Sequence, residues 1–294
     1  MKIKWGTMTP SATENSTIVI RDINGAAAMR AVEELQKETW GVPDLDVVPL
    51  TQMVAAQAAG GTLIGAFDRE TLVGFAYGFV SYEHGQLAHH SHMLAVRPAY
   101  RNFNLGYKLK LAQRERVLAQ GGGLMTWTFD PLQSLNAHFN FNKLGVIADR
   151  YFVNFYGEDA ASFLHRNGTD RLWVTWLLTS RCVSERLDGE APASELQNVL
   201  PLVQLGLDAS PQRSSLAEGL AHEQAAIEIP ADLSAVEQQS TESAFAWREA
   251  TRWAFTEALA AGYLVTGFAR MNREAQRLGT YLLSRGKKLS DFVG

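Results

Sequence analysis

The chain has 294 residues, 46% of them hydrophobic and 20% charged, with a net charge of −4. Such a chain can bury a core without metal or disulfide staples. Its single cysteine, Cys182, excludes an intramolecular disulfide and a CxxC metal site. No apolar run approaches the ~20 residues of a membrane span. No Lys/Arg block interleaves with aromatics as a nucleic-acid groove requires. The N-terminal stretch lacks the apolar core of a secretory signal. The expectation is a cytoplasmic protein that uses no metal, nucleic acid or membrane and acts on a small molecule, with residues 1–16 as a flexible tail.

Thr17–Ile23 is a β-rich run, and after Asn24 and Gly25 a helical pattern places Met29, Val32 and Leu35 on one face up to Trp40-Gly41. A shorter helix is predicted from Pro49 to Ala59, ended by Gly60-Gly61. Strands follow at Thr62–Phe67 and Leu72–Tyr82, joined by a polar turn, and a third runs from Leu87 to Val96 before Pro98. A helix from Asn104, a strand at Leu124–Phe129, a helix at Ser134–Leu144 and strands at Tyr151–Tyr156 and Arg171–Thr179 complete the order β-α-α-β-β-β-α-β-α-β-β. Antiparallel strands followed by a βαβ unit indicate a mixed α/β sheet. We expect one domain over 17–180, a polar connector over 181–224 with an apolar piece at Val199–Leu207, and a strand-helix-strand-strand extension over 225–294. The extension is too short for a rich core of its own, so it docks on the main sheet or on a partner chain, as in a homodimer.

The segment that carries chemistry is His90-Ser-His-Met-Leu-Ala-Val-Arg-Pro-Ala-Tyr-Arg-Asn-Phe-Asn-Leu-Gly106, a strand running through a tight loop into an Arg/Lys-bearing amphipathic helix. The start of such a helix offers unpaired N–H groups and partial positive charge to a pyrophosphate. Arg101 and Lys108 add cationic contacts, and Gly106 allows close backbone approach. On a regular strand His90 and His92 share a face with Leu94 and Val96, opposite His89, Ser91 and Met93; a bulge would change that parity. A histidine titrates near neutral pH and can take a proton from an ammonium group.

Leu94-Ala95-Val96 followed by Arg101-Asn102-Phe103-Asn104-Leu105-Gly106 resembles the GNAT (GCN5-related N-acetyltransferase) superfamily pattern of hydrophobic-x-Val, then Arg/Gln-x-x-Gly-x-Gly/Ala. Asn104 stands where the first glycine is usual, and asparagine is among the residues that best tolerate positive φ. The resemblance continues in Asn136 and Phe139, on a helix ended by Gly145, and covers about residues 17–180. It implies the acyl-CoA N-acyltransferase fold. Acetyl-CoA or another acyl-CoA would be held by Leu94, Ala95, Val96 and Arg101 to Lys108 (Asn102, Phe103, Asn104, Leu105, Gly106 and Tyr107 between), with Asn136 and Phe139 on the pantetheine. His-x-His-x-Leu-Ala-Val is also similar to arylalkylamine N-acetyltransferases, which makes His90 and His92 candidate bases. Glu83 is the rival base, on a strand end beside Gly85 where a solvated hairpin end is the competing reading. Relatives place a tyrosine acid where this chain has Phe141; Tyr151 and Tyr156 lie downstream as substitutes, and Tyr107 is too far forward.

A finer resemblance, to a long bacterial subfamily of "predicted acetyltransferases", rests on Asp130-Pro-Leu, Asn142-Lys-Leu-Gly145, Asn154-Phe-Tyr-Gly157, Asp170-Arg171, Trp176, Glu228-Ile-Pro, Trp247-Arg, Arg252, Gly262-Tyr and Phe268-Ala-Arg270. It implies transfer of an acetyl or succinyl group to a primary amine, an amino acid among the candidates, by direct attack in a ternary complex. The rival expectations are a GNAT-fold protein that binds CoA without turnover, and a structural module that oligomerises through 225–294.

Overall fold

The computed structural model describes residues 18–157, 167–190, 199–273 and 276–292, so the tail expected at 1–16 lies outside the described residues. The first part runs β1 (Ile18–Asp22), α1 (Ala26–Trp40), α2 (Leu50–Ala58), β2 (Thr62–Asp68), β3 (Thr71–Glu83), β4 (Gln86–Val96), α3 (Leu105–Ala119), β5 (Leu124–Phe129), α4 (Ser134–His138), β6 (Ile147–Phe152) and β7 (Arg171–Leu177). The mixed α/β class is as expected. Tyr151–Tyr156 is not one strand: β6 starts four residues earlier, and Asn154 at φ 48° turns the chain after Phe152. The helix expected over Ser134–Leu144 is α4 continued by a π-helical stretch, Phe139–Leu144, which Gly145 ends at φ 72°.

The segment expected as a connector is described at 181–190 and 199–224. Residues 181–224 hold α5 (Arg181–Leu187), β8 (Pro201–Leu205), β9 (Pro211–Arg213) and α6 (Leu216–Gly219). The elements of three to seven residues are too short to show a period. Then come β10 (Gln224–Pro230), α7 (Leu233–Gln239), α8 (Thr241–Ala260), β11 (Tyr263–Arg273) and β12 (Gln276–Arg285). Among the described residues the strands form one sheet in the order β1-β2-β3-β4-β5-β7-β6-β11-β12-β10-β8-β9. The C-terminal strands join through one residue pair, Val265 with Ala148.

Around β2–β4 the apolar side chains go to two sides. Met29, Val32, Leu35 and Met53 of α1 and α2 pack with Phe75, Tyr77 and Ala95, while Leu105, Leu109 and Ala112 of α3 pack with Ile64, Ala66 and Val73. The largest cluster joins β5 and β7 to α8 and β10–β12 through Trp127, Trp176, Phe141, Trp247, Phe255 and Tyr281. At about 1.5–3 kcal/mol for each large apolar side chain withdrawn from water, this shared core fastens the C-terminal strands.

Polar bonds strengthen the attachment. Arg248 of α8, 1% exposed, makes a two-pronged pair with Asp130 at the end of β5, both contacts 2.8 Å. One turn on, Arg252 pairs with Asp170 just before β7, and Tyr281 donates to the Pro131 carbonyl at 2.6 Å.

The register between β3 and β4 slips by one residue: Tyr77 faces Met93, but Gly78 faces Ser91, leaving His92 as the extra residue of a bulge. Gly78 makes room for it. A Cβ there would meet His89 Nε2 at 2.4 Å, the His90 carbonyl at 2.7 Å and Gln113 Nε2 at 2.9 Å. Gly78→Ala is therefore expected to lower stability by about 1–3 kcal/mol, seen as a reduced urea midpoint. Arg248→Met leaves the Asp130 carboxylate without its cation and is expected to cost about 3–5 kcal/mol. Adding Asp130→Asn to Arg248→Met should recover part of that loss in the same titration.

Candidate active site

β4 and β5 pair as parallel neighbours at two positions only, His89 with Met125 and His90 with Thr126. Beyond them the strands part, because the bulge at His92 bends and twists β4. A cavity of about 740 Å³ fills the gap. Ser91, His92, Met93 and Leu94 line one wall, and Trp127, Thr128, Phe129 and Asp130 line the other. Asn136, Phe139 and Asn140 come from the helix after β5, and Gln36, Trp40, Val42, Asp46 and Val48 from the α1–α2 region; Tyr156 and Arg171 close the far end. Where two strands diverge, main-chain N–H and C=O groups lose their ladder partners and must find others. An extended ligand with amide groups can replace the missing strand.

The bulge overturns the expected strand parity. Leu94 and Val96 pack with α3, whereas His90 and His92 lie on the opposite side with Phe79, 5.4 and 5.6 Å away between ring centroids. The two histidines also differ from each other. His92 lines the cavity, and burial lowers its pKa below 6.5. His90 is packed against Trp173 at 4.9 Å and bonded through Nδ1 to the Thr126 hydroxyl at 3.0 Å. Burial, then the neighbouring His92, push its pKa down to about 3.

Glu83 is not a solvated hairpin end. It is 7% exposed, paired with Arg150 and 3.4 Å from His84, away from the cavity lining. Tyr151 is likewise outside that lining: its hydroxyl donates to Asp170 at 2.6 Å and its ring stacks on Phe255 at 5.4 Å. Burial and the Asp170 carboxylate raise its pKa well above 10. Phe141, at the position where a tyrosine was sought, is 2% exposed and packs edge-on against Tyr281.

Asn104 adopts the left-handed conformation expected of it, φ 57° and ψ 28°, directly before α3. No side chain caps that helix. Its first i→i−4 bond outside the ladder's interior is from Lys108 N–H to the Asn104 carbonyl at 3.2 Å, so the amides of Leu105, Gly106 and Tyr107 precede the ladder. Arg101, Asn102, Phe103, Asn104 and Lys108 are exposed, whereas Leu105 is buried. A Cβ on Gly106 would meet nothing nearer than Leu94 Cδ2 at 3.8 Å, so packing alone does not require glycine there. The turn is therefore open on its outer side and adjoins the cavity through Leu94, though residues 101–108 are not themselves in the cavity lining. Ala95 is buried towards α1 and α2, so only its main chain is available to the cleft. These features fit a diphosphate at the helix start with its attached arm along β4.

Sequence reasoning missed Lys110, Trp127, Asp130, Gln36 and Asn140, all on the cavity wall. The one available signal was Lys110 between Leu109 and Leu111, on the α3 face that also carries Leu105, Ala112 and Val117. Among the described residues no group of three or more His, Cys, Asp or Glu side chains is placed to hold a metal, and no helix is long and apolar enough to cross a membrane.

Residues 27–145 match the family model described as "Acetyltransferase (GNAT) family". No curated protein matches the chain. Among solved structures, a protein assigned to the GNAT acetyltransferases from Desulfovibrio desulfuricans is 16% identical, with 55% of this chain and 100% of that chain covered at a TM-score of 0.45. The ribosomal-protein-S18-alanine N-acetyltransferase of Escherichia coli is 13% identical, with 55% and 94% covered and a TM-score of 0.43. A GNAT family acetyltransferase of Elizabethkingia anophelis with acetyl-CoA bound is 14% identical, with 56% and 99% covered and a TM-score of 0.41. These global likenesses are weak, and the family assignment rests on the sequence match. Over residues 27–145 this chain is similar in sequence to the acetyltransferases of the GNAT family.

Proposed function

We propose that the chain is an acyl-CoA-dependent N-acyltransferase that moves an acetyl or succinyl group to a primary amine of a small molecule, amino acids among the candidates, by direct attack in a ternary complex. The observation that carries this is the cleft opened by β4 and β5, which starts beside the left-handed turn at Asn104 and has His92 on its wall. Acyl-CoA, when bound, supplies the acyl group as an activated thioester. The amides of Leu105, Gly106 and Tyr107, with Arg101 and Lys108, hold the diphosphate at the start of α3. Leu94 to Val96 present main-chain groups to the pantetheine arm, and Asn136 and Phe139 face it from the other side. The N–H of Leu94 or Val96 donates to the thioester oxygen, where negative charge develops.

His92 takes the proton that the attacking ammonium must lose, directly or through water. Its lowered pKa keeps the ring neutral, and so able to accept, at neutral pH. His90, packed between Phe79 and Trp173, orients its neighbour through the shared aromatic packing. Tyr151 and Glu83 have their polar atoms committed elsewhere, so neither carries the acid or base role in this scheme. In this scheme Tyr156, which lines the cavity, protonates the leaving thiolate, with water as the alternative source. A second reading, a protein that binds CoA without turnover, is favoured by Phe141, which buries an apolar ring where relatives place an acid.

Release of free thiol from acetyl-CoA and succinyl-CoA over a panel of amines separates the two. Binding of CoA with no thiol release on any amine would establish the second reading. With an acceptor in hand, kcat/KM should hold steady from pH 7 down past 6.5 and fall only as His92 takes a proton at its lowered pKa. His92→Gln should lower kcat by about 10²–10⁴-fold and abolish that acid limb. Full activity in a His90→Ala, His92→Ala double variant would remove the assignment. Gly106→Ala has room within the protein, so it should fold normally while weakening CoA about tenfold in calorimetric titration.

A further inference from the structure

Lys110 lies on the buried side of α3, where the helix otherwise presents Leu105, Leu109, Ala112 and Val117. Its side chain reaches the floor of the gap between β4 and β5. Nζ donates to the Ser91 hydroxyl at 2.6 Å and lies 3.7 Å from the centre of the Trp127 ring. Lys110 is 3% exposed and lines the cavity. The Ser91 hydroxyl donates a hydrogen bond to Gln113 Oε1, and Gln113 Nε2 donates to Thr62, so the neighbouring hydrogen-bond network is satisfied without the lysine charge.

Among the described residues no carboxylate pairs with Lys110, and burial pulls its pKa well below the usual lysine value. An uncompensated ammonium at such a site is costly. One hydroxyl and one aromatic face offset only part of that cost. Methionine would fill the same space without it. The unmet partner is an anion, and the cavity is the side from which one can arrive.

The acyl-CoA reading of the cleft, on which this inference rests, places the thioester oxygen at the Leu94 or Val96 N–H, of which Leu94 is the nearer to Ser91. Ser91 is three residues nearer the closed end of the cleft, on the order of 10 Å along a regular strand and less across the bulge. An acyl chain continuing beyond its carbonyl therefore points towards Lys110. An acetyl group stops at its methyl and offers Lys110 no anion.

We infer that Lys110 is a specificity residue for the acyl donor, selecting a chain that ends in a carboxylate, as in succinyl-CoA, over one that ends in a methyl group. Calorimetric titration of the full chain without acceptor, using succinyl-CoA and butyryl-CoA, tests this. The two donors have equal chain length and differ in carboxylate against methyl. Succinyl-CoA should bind at least about tenfold more tightly, and in Lys110→Met the ratio should fall to within about twofold. Equal affinities in the unaltered protein overturn the inference, whether or not Lys110→Met folds. A preference that survives Lys110→Met also overturns it and moves carboxylate recognition to another cation, such as Arg171. If neither ester nor CoA binds, the acyl-CoA reading falls too, an outcome distinct from CoA binding without discrimination.

Discussion

β4 and β5 stay hydrogen-bonded neighbours for two residue pairs and then separate, and nearly every other feature of the site follows from that separation. A strand edge inside a sheet is an unstable arrangement unless something completes it, because its amides and carbonyls have left water without gaining partners. The bulge at His92 causes the separation, and Gly78 permits the bulge. The same extra residue turns His92 towards the gap while Leu94 and Val96 stay against α3. One insertion in the register thus creates the opening, exposes an edge suited to an amide-bearing arm and places a neutral imidazole beside it.

The C-terminal part of the chain takes part in this arrangement. α8 sends Arg248 to Asp130 and Arg252 to Asp170, so two residues one helical turn apart hold the ends of two neighbouring strands. Asp130 lies on the cavity wall. A carboxylate held by both oxygens has a fixed orientation, which a lone aspartate at a strand end would not have. The extension thereby sets the shape of the far wall, although β11 and β6 share only one bridging pair.

The strand–turn–helix unit was legible in the sequence because each of its parts has local causes: a hydrophobic strand, Asn104 tolerating a left-handed backbone, and a helix free of a side-chain cap. Asn136 and Phe139 were named only through the family resemblance, and both line the cavity. What could not be read depended on distant partners. Counting alternate residues along β4 cannot detect one inserted residue, so the faces of the histidines and of Leu94 came out on the wrong relation. Glu83 read as a solvated turn because Arg150 is 67 positions away. Tyr151 read as available because Asp170, which takes its hydroxyl, comes from just before the start of the neighbouring strand, 19 positions on. Lys110 was passed over because its burial depends on Ser91 and Trp127 from two other strands.

The Asp130–Arg248 pair spans 118 residues of chain. During synthesis the β2–β4 hairpins can close from neighbouring sequence while α8 has still to be made, and contacts of such long separation form late. Until then the nascent chain carries an aspartate at the rim of a half-built cleft with no cation beside it, and the apolar faces of β5 and β7 lack their cover. The window between translating β5 and translating α8 is therefore the interval in which these apolar faces stand uncovered and open to wrong contacts.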